Sequence, residues 1–266
     1  MASSTRPGSD VPDMNLYKLD RVHRTLEQLK DKPMWDAEDT GGFDCMHYLG
    51  NAAIDNAARQ LGLKPGDRVL DIGSGFGGTG RYLYRHYGVE TTGIELQGDI
   101  HDIATTINNK SGAAGRVSSI HGNFLELSSN RMGVPVDHIV SFLCILHIPE
   151  REALFKKALE MLKVGGGFYI EDFFARTALD DKTLSLLRES VSCPDLPDRQ
   201  KYEAELTKAG FEVAEWVDIS DTWADFVHHR AGHPSVDTDL ITFYNAVDEV
   251  FASGKVGGVR ITCRKI

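Results

Sequence analysis

The residues best suited to chemistry form the glycine-rich run Asp71-Ile-Gly-Ser-Gly-Phe-Gly-Gly78, at the end of the short apolar segment 68–72. Glycines allow a backbone to adopt positive φ and to approach a bound molecule closely. The run lacks the lysine that follows the glycines of a nucleoside triphosphate loop, which argues against that class of ligand. The glycines alone remain compatible with a dinucleotide site, a nucleoside site or a simple tight turn.

Two carboxylates near this run narrow the choice of ligand. Asp71 comes directly before the glycines, where its negative charge would repel a pyrophosphate. Glu95 ends the next apolar segment, 89–96, where a carboxylate can hold ribose hydroxyls. The pattern favours a nucleoside that carries an ammonium and a sulfonium group, as S-adenosylmethionine does.

A methyl acceptor for such a nucleoside would lie at the edge of the sheet where the strands end. His147 follows the apolar run 136–146 and is the candidate catalytic residue, since an imidazole can take a proton from an amine. Trp35 and Tyr48 precede the glycine run, and an indole such as Trp35 can hold a methylammonium by cation–π attraction. Core packing is the competing interpretation for both.

Later residues extend the set of expected acceptor contacts. A carboxylate at Asp172, in the segment 166–174, would suit a cationic amine, whereas Arg230 or Lys255 would bind an acceptor carboxylate or phosphate. Tyr244 completes this expected set, and a solvated helix end is the alternative for the two cations. The histidines near Arg230 do not have the spacing of metal ligands, so no metal is expected.

Strands and helices alternate through the middle of the chain, which predicts βαβ units and a parallel sheet. Such sheets place ligands at the carboxyl ends of their strands. The predicted strands are 68–72, 89–96, 117–122, 136–146, 166–174, 211–219 and 257–265. The predicted helices are 15–31, 51–63, 78–87, 98–110, 150–162, 179–191, 199–209, 220–231 and 238–252.

Composition restricts the class of protein. With 266 residues, 41% hydrophobic and 26% charged, the chain is expected to form one α/β domain with additions. A net charge of -10 makes nucleic acid an unlikely partner. No apolar run reaches the roughly 20 residues of a membrane span, and the first residues do not resemble a secretory signal. Four scattered cysteines fit a protein with reduced thiols in the cytoplasm. The protein is expected to be a monomer or a homodimer.

Five motifs, taken together, resemble the class I S-adenosylmethionine-dependent methyltransferases: DIGSGFGG, GIELQ, HGNFLEL, the strand ending in CILH, and LKVGGGFYIEDF. Among these, the chain is most similar to the sarcosine/dimethylglycine and phosphoethanolamine N-methyltransferases. The resemblance implies a Rossmann-like, seven-stranded, mostly parallel sheet whose last strand is antiparallel, with helices on both faces and a helical cap. It implies a tail at 1–14, an N-terminal cap at 15–66, and a cofactor-binding domain at 67–266 with an inserted lid at about 175–256.

The same resemblance implies roles for individual residues. Glu95 would bind the ribose, Asn123 the adenine amino group, and the backbone of Leu143 the cofactor's own amino group. Gly73 and Gly75 would pass beneath the methionine moiety. The full set of expected cofactor contacts is Asp71, Gly73, Ser74, Gly75, Glu95, Leu96, Gln97, Asn123, Phe124 and Leu143.

The resemblance also implies an acceptor, namely the nitrogen of an amine or amino acid of the glycine, sarcosine or dimethylglycine type. Phosphoethanolamine enzymes pair the histidine that matches His147 with a tyrosine in a Tyr-Ser-Ser-Gly-Gly stretch. Here residues 38–42 read Glu-Asp-Thr-Gly-Gly, without that tyrosine. The alternatives are a phosphobase, a thioether sulfur, a natural-product oxygen or carbon, and an inactive cofactor-binding scaffold.

Overall fold

The computed structural model describes residues 19–44, 47–133, 135–231 and 238–266. Its helices and strands follow the predicted alternation closely. The strands are β1 (Arg68–Ile72), β2 (Glu90–Glu95), β3 (Val117–His121), β4 (Val136–Phe142), β5 (Leu162–Ala175), β6 (Phe211–Asp218) and β7 (Val256–Lys265). The helices are α1 (Leu19–Leu29), α2 (Ala37–Thr40), α3 (Asn51–Leu61), α4 (Gly78–Tyr87), α5 (Gly98–Lys110), α6 (Arg151–Met161), α7 (Asp181–Ser190), α8 (Arg199–Ala209), α9 (Ser220–Ala231) and α10 (Thr238–Ala252).

The seven strands form one sheet in the order β3-β2-β1-β4-β5-β7-β6. Strands β1 to β5 run parallel, and β7 is antiparallel to both of its neighbours, β5 and β6. The order reverses between β1 and β4, so their carboxyl ends open a crevice at the point where ligands bind in sheets of this kind. The predicted fold class, with its antiparallel last strand, is confirmed.

Two apolar clusters cover the two faces of the sheet. On one face α6 and α8 bury side chains such as Phe155 and Leu206 against Ile139 and Phe168. On the other face α3 and α4 bury Ile54 and Leu83. The near-continuous apolar sequences of the central strands follow from this burial on both sides.

The first part of the N-terminal region, residues 19–43, packs beside α5, whereas Tyr48 belongs to the apolar cluster of Phe173 and Trp223. Val22 of α1, together with Trp35 and Phe43, contacts Phe76 and Ile100 in a separate apolar cluster. The predicted helix 15–31 is thus present as α1, and its first four residues lie outside the described part of the chain. The predicted tail, 1–14, lies there too.

Three helices from the second half of the chain cover the carboxyl end of the sheet. Side chains of α7, α9 and α10 share an apolar cluster with β5 and β7, which includes Leu187, Trp223 and Val247. Within the predicted insertion at about 175–256, β6 joins the sheet and α8 packs on its face, while α7, α9 and α10 share the apolar cluster above. Among the described residues, no helix is both long and apolar enough to cross a membrane.

A glycine in β7 permits the close approach of α9. A Cβ atom added at Gly258 would lie 2.3 Å from the Trp223 ring, far inside van der Waals contact. The indole of Trp223, which is fully buried, therefore rests directly on the strand backbone. This contact fixes the cap helices against the sheet.

Candidate functional site

The glycine run forms the turn between β1 and α4, and its backbone is tied to the end of β2. The amides of Gly73 and Ser74 both donate to the carbonyl oxygen of Ile94, at 3.0 Å each. Gly73 has a φ of +79°, and a Cβ there would lie 2.3 Å from Cys144 Sγ. Only glycine meets both conditions, because an L-residue would be strained by the backbone and would also collide with Cys144.

Glu95 is the centre of this arrangement. Its Oε2 accepts the amide of Gly75 at 3.0 Å and its Oε1 accepts the amide of Gln97 at 2.8 Å. The side chain is buried, and burial raises its pKa, although these backbone hydrogen bonds oppose that shift. Each oxygen of the carboxylate can still accept a further donor from a ligand.

Asp71, one strand away, is the second buried carboxylate. Burial and, to a smaller extent, the negative charge of Glu95 together raise its pKa to about 7. Two neighbouring carboxylates without a cation between them form an electronegative site, which would be stabilised by a positively charged ligand.

A single cavity connects these groups with the carboxyl ends of β4 and β5. Twelve of the residues predicted for the site line it: Tyr48, Asp71, Gly73, Ser74, Gly75, Glu95, Leu96, Asn123, Phe124, Leu143, His147 and Tyr244. Asn123 Oδ1 accepts the amide of Leu125 at 3.0 Å, which fixes its side chain at the rim after β3. Leu143 lies directly after β4 with a φ of +50°, so the chain turns sharply into the cavity there.

His147 is the catalytic candidate in this cavity, and its ring has a defined orientation. It ends the 3₁₀ turn Ile145–His147, and its Nδ1 lies 3.0 Å from the carbonyl oxygen of Ser192. A carbonyl can only accept, so Nδ1 carries the proton and Nε2 keeps a free lone pair. Burial lowers the pKa of His147, although the bond to Ser192 opposes the shift, so the ring is neutral near pH 7.

Trp35 was expected near the acceptor, and the structure places it elsewhere. Its indole nitrogen donates to the carbonyl oxygen of Leu29 at 3.0 Å, inside the cluster between α1 and α5. Lys110 lies over its ring at 5.9 Å. The interpretation as a core residue is therefore correct, and the methylammonium role is wrong.

Asp172 was expected to face the acceptor, but it points behind the cavity. Its Oδ1 accepts the amide of Leu146 at 3.2 Å, and its Oδ2 accepts the hydroxyl of Tyr202 at 2.9 Å. Arg151, itself bound to Glu205, lies 3.7 Å from the same oxygen. Asp172 therefore holds the turn that carries His147 and does not line the site.

Three further predicted contacts also lie outside the cavity. Lys255 pairs with Asp180 at the surface. Arg230 lies over the Tyr244 ring, 5.8 Å from its centroid, beside a separate surface depression. The side chain of Gln97 is buried away from the cavity, whereas its backbone binds Glu95.

Several lining residues were not among the predicted site residues. They include Thr79 at the start of α4, Cys144, Phe173, Val191, and Leu240 and Phe243 of α10. Leu240, Phe243 and Tyr244 follow the three- and four-residue spacing of one helix face, which is the signal that would have identified them. His47 also lines the cavity, and its ring stacks on that of Phe142 with a centroid distance of 4.7 Å.

The cavity fits the nucleoside that the sequence predicts. The hydroxyl oxygen of Ser74 is buried without a hydrogen-bond partner among the described residues, beside the glycine turn. The carboxylate of Glu95 supplies acceptors for hydroxyl groups, and the pair of buried carboxylates suits positive charge. The residues present therefore match the donors and acceptors of S-adenosylmethionine.

Comparisons with known proteins give the same class of fold. A family model described as mycolic acid cyclopropane synthetase matches residues 45–232. A glycine/sarcosine/dimethylglycine N-methyltransferase from Actinopolyspora halophila is 22% identical over 80% of this chain and 42% of its own length. Phosphoethanolamine N-methyltransferase 3 from Arabidopsis thaliana is 32% identical over 61% of this chain and 32% of its own length.

A solved structure extends the likeness to the fold. The geranyl diphosphate C-methyltransferase from Streptomyces coelicolor A3(2), solved with S-adenosyl-L-homocysteine, has a TM-score of 0.72 and 19% identity. The match covers 82% of this chain and 78% of that one. In contrast, the chain spans less than half the length of the two curated relatives above.

We expect Asp172→Ala to lower the free energy of unfolding by about 3 kcal/mol, because it leaves the buried Arg151 with only Glu205 as a charged partner. Tyr202→Phe removes one hydrogen bond and should cost about 1 kcal/mol. Urea unfolding followed by circular dichroism measures both variants. A loss below that of Tyr202→Phe would show that the Arg151–Asp172 pair contributes little.

Proposed function

The chain belongs to the mycolic acid cyclopropane synthetase family, and from this membership we propose that it transfers a methyl group from S-adenosylmethionine to a small molecule. One observation carries the proposal. The glycine turn, the buried carboxylates Asp71 and Glu95, and the oriented ring of His147 all line the same cavity. A cofactor site and a proton acceptor thereby share one enclosed space.

The residues that would hold the cofactor come from four strand ends. Glu95 would accept the ribose hydroxyls, and Asn123 and Phe124 would flank the adenine. The turn from Gly73 to Gly75, with Ser74 Oγ, would meet the methionine portion. Asp71 would stabilise positive charge. Leu96 and Leu143 would contribute apolar and backbone contacts.

When bound, S-adenosylmethionine supplies a methyl group on a sulfonium that needs no further activation. The protein must therefore orient an acceptor and exclude water, which together can contribute about 7–11 kcal/mol. Phe173, Leu240 and Phe243 line the cavity with apolar surface that excludes water. Tyr48 lies among the rings of Phe173, Trp223 and Phe226, which keep its own ring rigid.

His147 is proposed to take a proton from the acceptor. Its Nδ1 proton is held by the carbonyl of Ser192, which leaves the Nε2 lone pair as the proton acceptor. Because the pKa of His147 is lowered, the ring stays unprotonated at neutral pH and also somewhat below it. This chemistry suits a nitrogen or oxygen acceptor that must lose a proton, and a nitrogen remains our first choice.

Release of S-adenosylhomocysteine tests the proposed activity. A screen would include glycine, sarcosine, dimethylglycine, phosphoethanolamine, histidine, methylthio acids, and apolar amines and alcohols. Calorimetry with S-adenosylhomocysteine separates the alternatives, because an inactive scaffold binds it without turning over any acceptor. A protein that binds neither cofactor form would refute the proposal.

Removal of the Glu95 carboxylate should weaken cofactor binding at least tenfold. We expect this for Glu95→Ala because charged hydrogen bonds of this kind contribute about 1.5–3 kcal/mol. Glu90→Ala is the matched control, since Glu90 begins the same strand and pairs with Arg116 at the surface. Titration calorimetry measures both, and unchanged binding by Glu95→Ala would refute the ribose assignment.

Cofactor affinity should fall as the pH falls from 8 to 6. Since the pKa of Asp71 is raised to about 7, the carboxylate is charged above that pH and becomes neutral below it. A cationic ligand binds the charged form better, so we expect a loss of about tenfold over this interval. Asp71→Asn should bind more weakly at pH 8 and show a flatter profile. A wild-type affinity independent of pH would contradict this role.

Substitution of His147 should reduce turnover far more than cofactor affinity. General base catalysis is worth about 10²–10⁴-fold, so His147→Ala is expected to lower kcat by at least a hundredfold. His228→Ala is the control, because His228 lies at the surface against Asp248. Equal losses of kcat and of cofactor affinity would reduce His147 to a structural role. An unchanged kcat would favour a thioether acceptor, which needs no base.

A further inference from the structure

Beyond the cofactor-binding turn, one part of the cavity is lined mainly by apolar side chains and forms a chamber. We use the name acceptor chamber for the part lined by Tyr48, Leu146, Phe173, Val191, Leu240 and Phe243, with Tyr244 and His147 at its border. Its walls come from β5, from the segment after α7, and from one face of α10. Hydrocarbon and aromatic surface dominates these walls.

Within the described residues, neither lysine nor arginine lines the cavity at any point. Its carboxyl groups are those of Asp44, Asp71 and Glu95, and burial raises the pKa of each of them. The two histidines supply no positive charge at neutral pH, because burial lowers the pKa of His47 to about 4 and also lowers that of His147.

Two buried cations in contact with groups behind the cavity wall, Arg81 and Arg151, are engaged by other residues. Arg81 donates to Asp44, to Asn108 and to the carbonyl oxygen of Phe76. Arg151 lies behind Asp172, in contact with Glu205 and stacked over Tyr202 at 4.0 Å. Each of these guanidinium groups is already paired with a carboxylate of the protein, so neither serves as a counter-ion for a ligand in the chamber.

The two cations expected to bind an acceptor anion are also directed elsewhere. Arg230 lies over the ring of Tyr244, and Lys255 pairs with Asp180. Neither belongs to the chamber wall. An anionic acceptor would thus enter a chamber whose walls, among the described residues, offer it no counter-ion, and the cavity beside that chamber contains three carboxylates.

We propose that the methyl acceptor is a predominantly apolar molecule, neutral or cationic, whose bound portion carries neither a carboxylate nor a phosphate. The inference rests on the proposed function, because it assigns the substrate class of the same site. It departs from the amino-acid acceptors that the sequence suggested, and equally from phosphobases.

Two physical effects support this class of acceptor. Moving an unpaired anion from water into such a chamber costs free energy of desolvation, and contacts with the chamber walls do not compensate that cost. Aromatic faces carry a negative quadrupole, so the faces of Tyr48, Phe173 and Phe243 repel anions, attract cations and bind apolar groups. Burial of a benzyl-sized group also favours binding, because it removes apolar surface from water.

Three aromatic probes of similar size test the inference without requiring turnover: benzyl alcohol, benzylamine and benzoate, which are neutral, cationic and anionic at pH 7. Protein with ¹³C-labelled Leu and Val methyl groups is saturated with S-adenosylhomocysteine and titrated with each probe. The signals to follow are those of Val191 and Leu240, with the exposed Val164 as a reference for non-specific effects.

We expect benzyl alcohol and benzylamine to shift both chamber signals, and benzoate to bind at least tenfold more weakly than either. Benzoate binding of equal strength would overturn the inference, as would the absence of a shift with all three probes. Failure to saturate the protein with S-adenosylhomocysteine would instead count against the proposed function.

A charge placed in the chamber provides the reverse test. Leu240→Arg adds a guanidinium at the wall, so benzoate should bind at least tenfold more tightly than it does to the wild-type protein. Circular dichroism checks that the variant folds. If the variant does not fold, the relative affinities of the three probes for the wild-type protein decide whether the inference holds. A folded variant with no gain for benzoate would contradict the role assigned to charge.

Discussion

The carboxylate of Glu95 holds together the part of the molecule on which the site depends. By accepting the amides of Gly75 and Gln97, it joins the turn after β1 to the end of β2. The turn can follow that path only because Gly73 has no side chain, since Cys144 fills the space beside it. The ends of β1, β2 and β4 are therefore fixed relative to one another before any ligand binds, and Asp71 and Glu95 are buried with no salt bridge to another described residue.

Much of the fold could be predicted because its signals are local. β1 and α5 have the predicted bounds, since an apolar run or a helical period is interrupted there by turn-forming residues. The end of β4 was predicted four residues too late. Leu143 adopts positive φ and residues 145–147 form a 3₁₀ turn, and neither feature is visible in an uninterrupted run of apolar letters. The family model agrees with the predicted methyltransferase class, and the solved structure shares the predicted fold.

Site residues could be predicted where the order of the strands decides their position. They were harder to predict where the packing of side chains decides it. Residues directly after parallel strands, such as His147 and Asn123, share one edge of the sheet and therefore one cavity. Asp172 of β5 also lies near that edge, but its side chain faces Tyr202 and Arg151, on the side away from the cavity. Trp35 packs on α5. No local sequence pattern could distinguish this position from one at the carboxyl end of the sheet. The domain bounds and the oligomeric state remain predictions.

The position of α10 has a consequence for how such an enzyme could diversify. Leu240, Phe243 and Tyr244 lie within little more than one helical turn and border the acceptor chamber, whereas the expected cofactor contacts come from the loops after β1 to β4. Changes to that turn alter what the chamber admits and leave the nucleoside contacts intact. Leu146 and His147 follow β4 close to the expected cofactor contact Leu143, but the positions of α10 lie far from the expected nucleoside contacts in the sequence. Drift in a few helix positions could therefore give a lineage new chemical targets while its methyl donor stays the same.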